Sequence, residues 1–131
     1  MTTTRSTEEA AVREVMTQLY AAWADNDADA FASHYVDEAT VIMPGVLHQD
    51  SAAVRQSMAM GFNGPLKGSQ GVDEPQSIRI YGDTAIVVSK AGILMAGQRE
   101  LAAAAERFAT WVFINQAGTW KVASYANCPA R

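Results

Sequence analysis

Apolar residues in the first fifth of the chain recur at helical spacing. Val12, Val15, Met16, Leu19, Ala22 and Trp23 fall on one stripe of a 3.6-residue repeat, predicting an amphipathic helix to about Asp25. Ser6-Thr7-Glu8-Glu9 ahead of it has the form of a capping box. Asp27 is placed to cap a second, shorter helix with Phe31, His34 and Tyr35 on its inner face, so the two helices form a hairpin. The pattern then changes to the β-branched run of residues 39–43, a Pro44-Gly45 turn and a short return over residues 46–48. Asp50 follows as the cap of a third helix that buries Val54, Met58 and Phe62.

Four glycines and Pro65 within residues 61–71 argue against regular structure and mark a candidate lid or rim. Beyond it, residues 75–81, 84–95, 106–115 and 119–127 read as strands joined by turns, together an antiparallel sheet. Residues 97–105 have helix propensity but sit where a loop belongs, and are read as a loop with one helical turn. Three helices followed by a long curved sheet predict an α+β fold, with the helices covering part of the sheet and the uncovered concavity forming a pocket.

A chain of 131 residues fits one domain. Apolar residues make up 49% and no run approaches a bilayer span, so a soluble protein without membrane association is expected. The polar start of residues 1–6 lacks a secretory pattern and Cys128 is the lone cysteine, pointing to the cytoplasm. A net charge of -4 with scattered basic residues disfavours nucleic acid and leaves a small apolar ligand as the better expectation.

Three stretches, Tyr20-Ala21-Ala22-Trp23, Asp27-Ala28-Asp29-Ala30-Phe31 and Asp37-Glu38-Ala39-Thr40-Val41, in this order of elements resemble the nuclear transport factor 2-like superfamily. The resemblance covers essentially the whole chain and implies a cone-shaped, cystatin-like α+β barrel. Phe62-Asn63-Gly64-Pro65-Leu66-Lys67-Gly68-Ser69, Thr110-Trp111-Val112-Phe113 and Trp120-Lys121-Val122-Ala123-Ser124-Tyr125-Ala126-Asn127-Cys128-Pro129 are similar to the SgcJ/EcaC branch of SnoaL-like proteins. Many of that branch accompany bacterial enediyne and polyketide biosynthesis. In ketosteroid isomerase, of the same superfamily, an aspartate base works beside an oxyanion hole of tyrosine and protonated aspartic acid. Carried over, the base falls on Met43, the oxyanion acid on Thr110 and the tyrosine on Leu19, with Tyr20 rotated about 100° around the helix. None of the three groups is kept, so that mechanism is not expected.

The same alignment sets strand parity. With Thr110 inward, Val112 and Ile114 also point into the pocket, while Trp111 and Phe113 face outward onto a surface that a second subunit covers, as the resemblance implies for a homodimer. Ala123, Tyr125 and Asn127 look inward, as do Val88 and Lys90. A desolvated Lys90 can act as a base or bind an anion; alternatively, a bulge turns it to solvent or Glu106 pairs with it. Tyr125 and Asn127 can orient a ligand or serve simply as wall. His34 reads as a core or pocket-mouth residue and His48 as a strand-edge residue. The two histidines lie far apart without clustered carboxylates, so no metal site is expected. Cys128, Ser69 and Ser124 lack the setting of a nucleophile, and residues 61–71 lack the ending of a phosphate loop.

These residues lead to a cofactor-independent, homodimeric protein of bacterial secondary metabolism that binds a polyketide-type intermediate and promotes its cyclisation, isomerisation or other maturation. Lys90, Tyr125 and Thr110 are the candidate catalytic groups, with Tyr20, Trp23, Met43, Met58, Val88, Val112 and Asn127 lining the ligand site. Two alternatives stand beside it: a non-catalytic carrier supporting a polyketide synthase, and an interaction module working through Trp111 and Phe113.

Overall fold

The computed structural model describes residues 4–131; residues 1–3, part of the polar start considered above, lie outside the described residues. Helix α1 (Thr4–Ala24) begins two residues before Ser6, so the expected capping box lies within the helix rather than ahead of it. Val12, Met16, Leu19 and Trp23 of its apolar stripe are buried. The helix ends where Asn26 takes a left-handed φ of 53°, a conformation asparagine tolerates better than most residues. The Asn26 amide donates to the Trp23 carbonyl at 3.0 Å, and its Oδ1 accepts from the Gly68 amide at 3.1 Å, tying the helix end to the glycine-rich segment.

Asp27 caps α2 (Ala28–Ala32), its carboxylate accepting from the Ala30 amide at 3.0 Å. This helix is shorter than its apolar spacing predicts. Phe31 is buried on it, but His34 lies in the following turn and Tyr35 opens strand β1 (Tyr35–Met43). Gly45 turns the chain at φ 75°, letting Met43 pair with Val46 as β2 (Val46–His48) returns. Asp50 then caps α3 (Ser51–Phe62), accepting from the Ala53 amide at 2.7 Å.

The remaining elements are β3 (Gln70–Tyr81), β4 (Thr84–Leu94), a single 3-10 turn over Ala103–Ala105, β5 (Arg107–Gln116) and β6 (Thr119–Pro129). They complete a six-stranded sheet in the order β2-β1-β6-β5-β4-β3. Every pairing is antiparallel except β1 beside β6. Helix α1 packs on β3 and α3 on β1, so one sheet face is covered by helices and the other is not.

The faces of β4 and β5 reverse the expected parity. Trp111 is 2% exposed and Phe113 fully buried, whereas Thr110, Val88 and Lys90 are exposed and Val112 lies on that same outer face. Trp111 and Phe113 are therefore core residues, not an outer surface. Both faces of these strands carry apolar side chains, so alternation alone admits two solutions that differ by a one-residue slip. Burying an indole and a phenyl removes more apolar area from water than burying Val112 and Ile114. The pairing agrees: Trp111 stands opposite Tyr125, so the two rings share a face, with centroids 4.3 Å apart.

Candidate functional site

Between the helices and the inner sheet face lies a cavity of about 510 Å³. Met43, Met58 and Met95 supply pliable apolar wall, with Trp23, Phe31 and Trp111 as aromatic wall. Polar character is confined to a few side chains: Tyr20, Tyr35, His48, Ser57, Arg107, Tyr125 and Asn127. Neither Asp nor Glu is among the lining residues, and Arg107 is the sole lysine or arginine.

Of the residues singled out from sequence, Tyr20, Trp23, Met43, Met58, Tyr125 and Asn127 are brought together around this cavity. Lys90, Thr110, Val88 and Val112 are not. Lys90 sits exposed on the outer face between Glu74 of β3 and Phe108 of β5, and Glu106, its suggested partner, meets Arg131 instead at 3.5 Å. His48 lines the cavity. His34 does not; burial and the nearby Lys121 lower its pKa. Among the described residues no group of His, Cys, Asp or Glu is arranged to hold a metal ion, and no helix is long and apolar enough to cross a membrane.

Two polar constellations stand out. On β6, Asn127 and Tyr125 are two residues apart and so share a face. Asn127 Nδ2 donates to the Tyr125 hydroxyl oxygen at 2.8 Å, while Asn127 Oδ1 accepts from the Arg107 guanidinium at 3.4 Å. Because Tyr125 accepts from Asn127, its own proton is free to be donated into the cavity. Burial raises the Tyr125 pKa, opposed by the Asn127 hydrogen bond, so near neutral pH the hydroxyl is a neutral donor.

The second constellation is centred on Asp73, which composition and spacing did not single out. Its Oδ2 accepts from the Tyr20 hydroxyl at 3.0 Å and from Trp111 Nε1 at 3.1 Å. Burial raises the Asp73 pKa, and the hydrogen bonds from Ser89, Trp111 and Tyr20 partly offset this. The Ser89 contact is imperfect: Asp73 Oδ1 and Ser89 Oγ are both buried without a well-formed hydrogen bond. Tyr20 is pushed well above its ordinary pKa by burial first and by the Asp73 charge second. Asp73 stands behind the cavity wall, facing a crevice of about 380 Å³ between α1 and β3 that shares Tyr20 and Gly71 with the main cavity. Gly71 permits this arrangement, since a Cβ there would run into the Tyr20 ring. A carboxylate thus exists in the neighbourhood, though neither at Met43 nor at Thr110, and it organises the wall rather than facing the cavity.

A model of the SnoaL-like domain matches residues 12–128. The chain belongs to the SnoaL-like family. No curated protein matches its sequence. Among solved structures, this SnoaL-like chain is similar to a cystatin-like domain of unknown function from Nostoc punctiforme: 20% identity and a TM-score of 0.86, covering 99% of this chain and 80% of that one. It is also similar to a candidate dehydratase of the NTF2-like family from Streptomyces avermitilis, at 21% identity, a TM-score of 0.79 and coverage of 98% and 99%. A candidate scytalone dehydratase from Novosphingobium aromaticivorans gives 16% identity, a TM-score of 0.81 and coverage of 100% and 89%. At such identities the likeness shows the fold, a cystatin-like α+β sheet wrapped by helices, as the sequence predicts.

Sequence reasoning missed Asp73, Arg107 and the inward Trp111. Asp73 lies in Val72-Asp73-Glu74-Pro75, which reads as the end of a turn region, whereas β3 begins at Gln70. Arg107 shares the parity of Trp111 and Phe113, so the inverted face hid it. The directly opposed aromatics Trp111 and Tyr125 were the available signal.

Proposed function

We propose that this SnoaL-like protein binds an apolar, ring-bearing small molecule in the cavity and polarises one of its oxygens through the Tyr125 hydroxyl, without a cofactor. The observation that carries the reading is the Tyr125 donor, oriented by Asn127 inside an otherwise apolar cavity. A neutral phenol aimed at a carbonyl or hydroxyl can promote enolisation, cyclisation or loss of water by stabilising charge as it develops on that oxygen. The dehydratase names of two similar structures belong to such chemistry. The resemblance to the SgcJ/EcaC branch, many of whose members accompany polyketide biosynthesis, makes a polyketide-type intermediate the ligand class proposed for this cavity. Tyr20, Trp23, Met43 and Met58 wall the ligand, and Tyr125 and Asn127 orient it.

A carrier without turnover is the second reading, favoured by the absence of Asp, Glu and Lys from the cavity wall. Incubating the purified protein with polyketide-type ketones, followed by mass analysis of free and retained species, separates the two. Conversion that Tyr125→Phe abolishes supports catalysis; stoichiometric retention without conversion supports the carrier.

We further infer that two copies associate through the outer sheet face rather than through Trp111 and Phe113. Val88 and Phe108 are 38% and 47% exposed there, with Ile86 and Val112 in the neighbouring row. Lys90 and Glu74, opposite one another at its edge, offer complementary charges to a copy related by two-fold symmetry.

A further inference from the structure

Arg107 is the first residue of β5, with the same parity as Ala109, Trp111 and Phe113, so its side chain joins the cavity wall. It is half-buried. A guanidinium does not give up its proton at any ordinary pH, and moving one out of water is unfavourable unless an acceptor or an opposite charge replaces the lost hydration. The protein supplies little of either. Among the described residues the one side-chain hydrogen bond of Arg107 is that to Asn127 Oδ1 at 3.4 Å, and Arg107 belongs to neither ion pair. The nearest basic residue along the neighbouring strand, Lys90, points to the other face, and the nearest acid in sequence, Glu106, is engaged by Arg131.

The geometry points to a ligand that carries an oxyanion, a carboxylate in the simplest case, which Arg107 pairs with inside the cavity. This deepens the proposed function and rests on the reading that the cavity takes a small molecule. Three features converge on it. Arg107, Asn127 and Tyr125 form a continuous line, with cationic N–H groups at one end and a free phenolic proton at the other. A planar oxyanion can engage a guanidinium through two parallel hydrogen bonds, which leaves the Tyr125 proton for a second oxygen of the same molecule. The positive charge also acts on Tyr125 itself, where Arg107 pulls against the rise in pKa caused by burial. No Asp or Glu among the lining residues competes for the guanidinium, so an apolar acid is selected over its neutral analogue.

The test is a matched pair of probes, 2-naphthoate and the neutral 2-naphthamide, titrated calorimetrically into the 131-residue chain and into its Arg107→Gln, Arg107→Lys and His48→Gln variants, with circular dichroism and melting to verify folding. The wild type should bind the carboxylate about tenfold to a hundredfold more tightly than the amide, the range of a charge-assisted pair. R107Q should bring the two affinities together, R107K should keep part of the preference, and H48Q should keep it. Two results overturn the inference while leaving the cavity reading intact: both probes bind the wild type equally, or the preference survives in R107Q. Loss of the preference in H48Q alone assigns the anion to the imidazole and overturns it as well. If neither probe binds, the cavity reading falls and the inference falls with it.

Discussion

Trp111→Phe tests the inverted strand parity at the residue where the two solutions differ most. Trp111 is 2% exposed, stacks on Phe113 with centroids 5.9 Å apart, and donates to Asp73 Oδ2. Phenylalanine keeps a ring but removes the donor, leaving Tyr20 alone on that oxygen. A hydrogen bond to a charged acceptor is worth about 1.5–3 kcal/mol, and trimming a buried ring leaves a void costing roughly 1 kcal/mol more. The expected loss is therefore about 3 kcal/mol, or roughly 10 °C in melting temperature for a chain of this length. Thr110→Val, one residue away on the exposed face, should stay within about 0.5 kcal/mol. The Trp111 bond favours ionised Asp73, so the W111F deficit should be full where Asp73 is charged and should shrink as pH falls through its folded pKa. Urea denaturation of both variants at several pH values measures this. Refutation would be a tolerated W111F beside a strongly destabilising T110V.

Three further outcomes follow from the same geometry. Gly71→Ala places a Cβ 2.5 Å from Tyr20 Cδ1, so it should destabilise by about 1–3 kcal/mol and perturb tyrosine fluorescence; an unchanged melting curve would contradict the close packing. Burial raises the folded pKa of Asp73, so its ionisation opposes folding as pH rises from the unfolded carboxylate value through the folded one. Relative to Asp73→Asn, wild-type stability should fall across that window, and parallel curves would count against a perturbed carboxyl. Val88→Glu puts a charge in the middle of the outer face and should convert a dimer to a monomer in light scattering; a monomeric wild type, or a dimeric variant, removes the proposed association.

Elements with strong local signals were legible in the sequence. The α1 stripe, the Asp27 and Asp50 caps, the Pro44-Gly45 turn and three of the four long strands all depend on chemistry within a few residues, and each recurs in the structure close to its expected bounds, whereas β3 starts at Gln70, five residues before the strand expected from residue 75. The extent of α2 was not, because the spacing of Phe31, His34 and Tyr35 suits a helix face, while Tyr35 and Val36 favour a strand once β6 is there to pair with. Strand parity failed for a related reason. It depends on which side the helices cover, a tertiary choice that a two-sided apolar strand does not encode. That one inversion carried Lys90, Thr110, Val88 and Val112 away from the cavity wall and hid Arg107, whereas Tyr125 and Asn127 on β6 line the cavity. Asp73 escaped because its role comes from two donors distant in sequence, Tyr20 and Trp111.

In the proposed function the ligand sits in the cavity beneath the helices. Methionine methyl groups report on this directly, since Met43, Met58 and Met95 line the cavity and Met60 is 72% exposed outside it. In a titration of methyl-labelled protein with 2-naphthoate followed by NMR, the signals of Met43, Met58 and Met95 should move together while Met60 stays fixed. Saturable binding that shifts Met60 alone, or leaves the three cavity methyls unmoved, would contradict it.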